Sequence, residues 1–159
     1  MRTNIDKSPD IRLAGLSIWI HGWQFPEAAD YWDGNWLRVT ARCEGSGACV
    51  EASGAFIQLP ELKSFASELA RLNEELKGEA TLKCIEPTIS IHVEANTLGH
   101  VTVTVDLTPD HLMQKHSCIF EIDQSYLSDS LEGCRRVLKE FPMRENPSEN
   151  TKRGVRKKE

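Results

Sequence analysis

Long apolar runs are missing from this 159-residue chain, and without about 20 consecutive apolar residues a helix cannot span a bilayer. The longest stretches are strand-sized and broken by polar residues. The first ten residues are polar where an export signal would carry its apolar segment, so neither a membrane span nor a secretion signal is expected. Cysteine is present in an odd number, five, which without an export signal argues for free thiols in a reducing, cytoplasmic compartment. Cys43 and Cys49 are spaced for a hairpin bridge, but the apolar alternation pairs Cys43 with Ala48 and turns Cys49 to the opposite side of the sheet. Positive charge is scarce in the body: residues 1–142 carry 13 Lys and Arg against 21 Asp and Glu, a net of −8, while residues 143–159 carry 6 against 3, a net of +3. An acidic body disfavours direct nucleic-acid binding through phosphate contacts and favours a basic protein partner.

The usual signatures of a reaction centre are also lacking. No Cys-x-x-Cys and no His-Glu-x-x-His occurs; His111 and His116 share a loop, and His21, His92 and His100 fall on separate strands or turns, so no metal site is expected. The glycine cluster Gly45-Ser46-Gly47 lies between two strand patterns with no helix behind it to present N–H groups to a phosphate, so no nucleotide or other cofactor is expected. Cys43 and Cys118 run in phase with apolar neighbours and read as small core side chains, not nucleophiles. Glu121 and Asp123 project to one side of a strand and could serve acid–base chemistry, yet such a pair is more often a solvated face. No enzymatic motif stands behind the chain.

What is present is the alternation of a β-rich domain with two helices. With 40% hydrophobic residues, 159 residues suffice for one domain with a real core. A first strand is read over Ile11–Trp23. Strands over Trp36–Cys43 and Ala48–Phe56 flank the turn Glu44-Gly45-Ser46-Gly47 and should pair antiparallel. Pro60 opens an amphipathic helix with Leu62, Phe65, Ala66, Leu69, Leu72 and Leu76 on one side, and Gly78 stops it. Three alternating runs follow, in which Ala95 should oppose Val101 and Ile91 should oppose Val105. Their apolar residues share one face, and Thr81, Lys83, Ser90, His92, Glu94, Thr102, Thr104 and Asp106 share the other. A last strand, Cys118–Ile122, leads to a second helix capped by Ser125, with Leu127, Leu131, Cys134, Leu138 and Phe141 as its stripe and Pro142 as its stop. The expectation is one α+β domain over residues 11–142, a largely antiparallel sheet of about six to seven strands with two helices on one face. Residues 1–10 should be a flexible N-terminus and 143–159 a disordered basic tail.

Only eleven aromatics occur, and three of them fall in Tyr31-Trp32-Asp33-Gly34-Asn35-Trp36, directly before a strand. The Asp-Gly-Asn step accepts positive φ at Gly34 and holds the aromatics at fixed angles. Trp36 is out of phase with Leu37, Val39 and Ala41 and should lock the turn against the sheet, whereas Tyr31, Trp32 and Asp33 are placed to meet a partner. Together with Glu51, Glu94, Asp106, Glu121 and Asp123 on strand faces, they form the candidate binding residues: charge steers a basic partner and aromatics anchor it. The competing readings are an ordinary solvated face, a small enzyme or ligand-binding module using Glu121, Asp123 and His92, and an oligomerisation module with a free strand edge.

The order Gly22-Trp23-Gln24-Phe25-Pro26, an acidic loop, and Asp33-Gly34-Asn35-Trp36-Leu37 resembles the N-terminal half of the WapI-type immunity proteins of bacteria, which have a similar Gly-aromatic-x-Phe-Pro and Asp-x-Asn-Trp-Leu. Leu59-Pro60-Glu61-Leu62, Gly78-Glu79-Ala80 and Phe120-Glu121-Ile122-Asp123-Gln124-Ser125-Tyr126-Leu127 also fit, so the resemblance covers about residues 11–142; the basic tail and the cysteines lie outside it. It implies a cytoplasmic, non-enzymatic protein that binds the C-terminal effector domain of a polymorphic toxin, which in the best-known case acts on tRNA, and blocks it by occlusion. Family members also occur away from toxin genes.

Overall fold

A computed structural model of the chain describes residues 5–96 and 98–145. Its elements follow one another as β1 (Ile11–Leu13), β2 (Leu16–Trp23), β3 (Trp36–Gly45), β4 (Ala48–Gln58), α1 (Leu59–Glu75), β5 (Gly78–Lys83), β6 (Ile89–Ala95), β7 (His100–Leu107), β8 (Ser117–Asp123), a 3-10 turn (Gln124–Tyr126) and α2 (Leu127–Glu140). The class is α+β, as expected. The eight strands form two four-stranded antiparallel meanders, β1-β2-β3-β4 and β5-β6-β7-β8, where a single sheet of six to seven strands was expected. Alternation fixes which side chains share a face, but it carries no information about whether two meanders separated by a helix join edge to edge or stay apart.

The additional strand arises because the run Ile11–Trp23 breaks at Ala14-Gly15. Ala14 takes φ 52° and the chain doubles back, setting Leu13 opposite Leu16 and Ile11 opposite Ile18. A Cβ on Gly15 would lie 2.6 Å from the Phe120 ring of β8, so this hairpin turn packs directly on the second sheet and only glycine fits. The β3–β4 turn is also tighter than expected. Gly45 opposes Ala48, Ser46-Gly47 alone makes the bend with Gly47 at φ 77°, and Cys43 faces Val50 and not Ala48. That shift is even, so Cys49 still points away from Cys43, and all five cysteines are free. In the second sheet the expected pairs Ala95–Val101 and Ile91–Val105 are both present.

Both sheets and both helices contribute to one continuous apolar cluster, from Leu16, Ile18, Leu37 and Ile57 through Phe65, Leu69 and Leu72 to Val93, Val103, Leu127 and Val137. The helices pack on each other, with α1 also running along β5 and α2 along β1. The helix pair is thus roughly the single layer expected, but it is shared between two sheets, α1 meeting β5 and β4 and α2 meeting β1. The backbone N–H of Gln58 donates to Glu61 Oε1 (2.8 Å), which starts α1 after β4, and Leu76 in the left-handed conformation (φ 55°) ends it. Close approach of α2 to β1 depends on two small residues absent from the expected stripe. A Cβ on Gly133 would meet Asp10 O at 2.6 Å, and the Ser130 hydroxyl donates to Arg12 O. Among the described residues no helix is long and apolar enough to cross a membrane.

Of residues 1–10, Lys7 and Asp10 are bonded to β2: Trp19 Nε1 donates to Lys7 O (2.7 Å) and Ile20 N donates to Asp10 Oδ2 (2.7 Å). At the other end, Met143 packs on the core and Arg144 is bonded to Asn35, so body contacts run past Pro142. The remainder of the expected tail, 146–159, lies outside the described residues.

Candidate functional site

The outer face of the second sheet can be read row by row from its register. One row runs Glu79, Glu94, Thr102, Glu121 across β5, β6, β7 and β8; the next runs Thr81, His92, Thr104, Ile119; a third runs Lys83, Ser90, Asp106, Ser117; His100 and Asp123 close the face at one end. The alternate residues Ala80, Leu82, Ile91, Val93, Val103 and Val105 are buried in the core, which forces these polar side chains outward. The face carries five carboxylates against one lysine, and Ile119 stands on it 69% exposed. Of the expected binding residues, Glu94, Asp106, Glu121 and Asp123 are brought together here. Glu79, His92 and Ile119 join them, although sequence reasoning did not include these three among the binding residues.

Glu51 is elsewhere. It lies on the outer side of the first sheet, opposite Arg42, and accepts from Arg42 Nη2 at 2.7 Å and from Nε at 2.8 Å. Its charge is locally matched by that guanidinium, which also stacks over the Trp19 ring at 5.2 Å.

Tyr31, Trp32 and Asp33 sit in the loop between β2 and β3. The Tyr31 and Trp32 rings meet edge to face at 5.0 Å, and Trp32 is 69% exposed. Directly behind them Asn35 is fully buried. Its Nδ2 donates to Tyr31 O (2.9 Å) and Arg144 O (3.2 Å), its Oδ1 accepts from Arg144 N (2.8 Å), and its backbone carbonyl accepts from Leu59 N (3.0 Å). Arg144 in turn lies over Trp23 at 4.4 Å, and Trp23 meets Phe141 edge to face at 5.5 Å. Gly34 is required for closeness and not for a positive φ: it is absent from the left-handed glycines, and a Cβ there would come within 2.4 Å of Asp30 O and 2.7 Å of Ala28 O. The motif thus has an exposed front, Tyr31 to Asp33, and a structural back, Gly34 to Trp36.

Asp123 has a structural duty as well. Its carboxylate accepts from Ser125 N (2.9 Å) and caps the 3-10 turn that leads into α2, the role expected of Ser125. That hydrogen bond holds its pKa below the usual carboxylate range. Glu121 accepts from Thr102 Oγ1 (3.3 Å), while His92 is held by Thr81 Oγ1 (3.1 Å) on the far side of β7, so Glu121, Asp123 and His92 do not converge as acid–base chemistry would need. The Cys43 thiol meets Cys118 across the two sheets, and burial together with that contact pushes its pKa up to about 12; burial does the same for Cys134, and burial with the neighbouring Glu61 carboxylate raises Cys84. These buried thiols are poor nucleophiles.

Among the described residues, one group of side chains has metal-ligand character: Glu79, His92 and Glu94, whose donor atoms all lie within 4.8 Å of one another. Sequence spacing concealed it because the three converge only through the β5–β6 register. A family model described as an immunity protein WapI-like family matches residues 9–142. No curated protein and no solved structure matches the chain.

Proposed function

The chain belongs to the WapI-like immunity protein family, and from that premise we propose that it neutralises a cognate toxin domain by binding and occluding it, in the cytoplasm of the producing cell and without chemistry of its own. The observation that supports this most is the outer face of the second sheet, where Glu79, Glu94 and Glu121 occupy three of the four positions of one row. A toxin domain that handles nucleic acid must present cationic groups to phosphates, and a row of carboxylates spaced by the sheet is complementary to such a cleft. Ile119 in the adjacent row offers apolar contact inside the charged field. Trp32, with Tyr31 and Asp33, supplies a second contact from its loop, and Glu51 contributes less because Arg42 already engages it.

Co-expression with the toxin domain encoded beside this chain tests the proposal. Survival of the cells and a complex recovered by pull-down are expected; continued killing with no complex would defeat it.

A further inference from the structure

The geometry points to a divalent transition-metal site, best matched by Zn2+, formed by Glu79, His92 and Glu94 on the outer face of the second sheet. Glu79 and Glu94 are direct cross-strand partners in the β5–β6 ladder, an arrangement in which like charges repel. Among the described residues neither carboxylate has a Lys or Arg ion-pair partner; the His92 imidazole stands beside them, with Nε2 3.9 Å from Glu79 Oε1. Glu94 and His92 are two apart on β6 and so share this face.

The imidazole is orientated from outside the triad. Thr81 Oγ1 lies 3.1 Å from His92 Nδ1, and Thr81 is itself fixed because its backbone N–H donates to Glu68 Oε2 of α1 (3.1 Å). With Nδ1 engaged, Nε2 is the nitrogen turned to Glu79. A ring nitrogen held by an outer partner while the other faces a carboxylate oxygen is the arrangement metal-binding histidines adopt.

The chemistry of the donors favours zinc, which takes imidazole and carboxylate together, whereas calcium and magnesium prefer all-oxygen shells. The donor atoms now lie within 4.8 Å of one another, and a tetrahedral zinc with bonds of about 2.0–2.1 Å needs donors roughly 3.3 Å apart. Glu79 is 61% exposed at its side chain, so rotamer changes at the two glutamates can close that gap without moving the sheet. Three protein ligands leave one zinc position for water or for a group from a partner.

The site is tested on the isolated, untagged chain and so stands apart from the toxin reading. A Cys49→Ser background removes the exposed thiol as a rival ligand. Zinc titration followed by calorimetry should give one ion per chain, and His92→Ala, Glu79→Gln and Glu94→Gln should each weaken it about tenfold or more, while Asp106→Asn on the same face leaves it unchanged. Zinc should also shift the His92 ring resonances in preference to those of His111 and His116. Absence of binding at millimolar zinc would overturn the site, as would binding that His92→Ala and Glu94→Gln leave intact in variants whose circular dichroism shows them folded.

Discussion

Replacing Asn35 by alanine should destabilise the protein without touching its outer surface. The side chain is fully buried and makes three hydrogen bonds, at 2.8, 2.9 and 3.2 Å, that join the β2–β3 loop to the segment after α2. At about 1 kcal/mol net for each bond the upper figure is about 3 kcal/mol, and water reaching the half-buried Tyr31 and Arg144 backbone brings it to roughly 2–3 kcal/mol. For a chain of this size that corresponds to a fall in Tm of about 5–10 °C. Two of the three bonds go to Arg144, so a chain truncated after Met143 has already lost them. In that background Asn35→Ala should cost only about 1 kcal/mol, a coupling of about 1–2 kcal/mol in the double-mutant cycle. Urea unfolding of the four proteins reads all of these quantities. A cost under about 0.5 kcal/mol for Asn35→Ala, or the full cost persisting in the truncated chain, would refute the view that Asn35 staples the loop to the C-terminal segment.

Other outcomes follow from the same geometry. Trp32→Ala, which removes a 69% exposed ring, should leave the urea midpoint nearly unchanged and weaken toxin binding, whereas Trp36→Ala, half-buried beside Gln58, should cost roughly 1–3 kcal/mol of stability. Alkylation of the native protein near pH 7.5 should modify exposed Cys49 and spare Cys43, Cys84 and Cys134, whose thiols burial holds protonated at that pH; mass spectrometry before and after denaturation reads the sites. The hydrogen bond from Ser125 N holds the folded pKa of Asp123 below the usual carboxylate range, so its contribution to stability is present above the unfolded pKa and is lost as the pH falls through the depressed folded pKa. Carboxyl NMR should show it titrating below the range of an ordinary aspartate, and Asp123→Asn should remove the effect.

The strands from Gly78 to Leu107 were legible residue by residue because valines, isoleucines and polar residues alternate there without a break, and a register error of one would have turned every apolar side chain outward. Both helices were legible for the same reason, through period 3.6 in place of 2. The hairpin at Ala14-Gly15 was hidden because an Ala-Gly step is a weak turn signal; the mark it leaves is a one-residue change of apolar phase, from Ile11 and Leu13 to Leu16, Ile18 and Ile20. Division into two sheets was hidden because only tertiary packing decides how two meanders meet. At the candidate site, the acidic outer face of β6, β7 and β8 could be seen in the alternation, while the Glu79–His92–Glu94 cluster needed the β5–β6 register. Glu51 joins the other carboxylates only if all the strands share one polar sheet face; its strand belongs to the other sheet, beside Arg42.

The affinity of the cognate toxin domain for the wild type and for a Glu94→Lys/Glu121→Lys double variant tests the central claim most directly. If the outer face of the second sheet is the docking surface, reversing two charges of its row should raise Kd by at least about tenfold, about 1.4 kcal/mol, and wild-type binding should weaken as salt rises. A folded double variant that binds as tightly as the wild type, with the same salt dependence, would place the toxin on another surface and contradict the account.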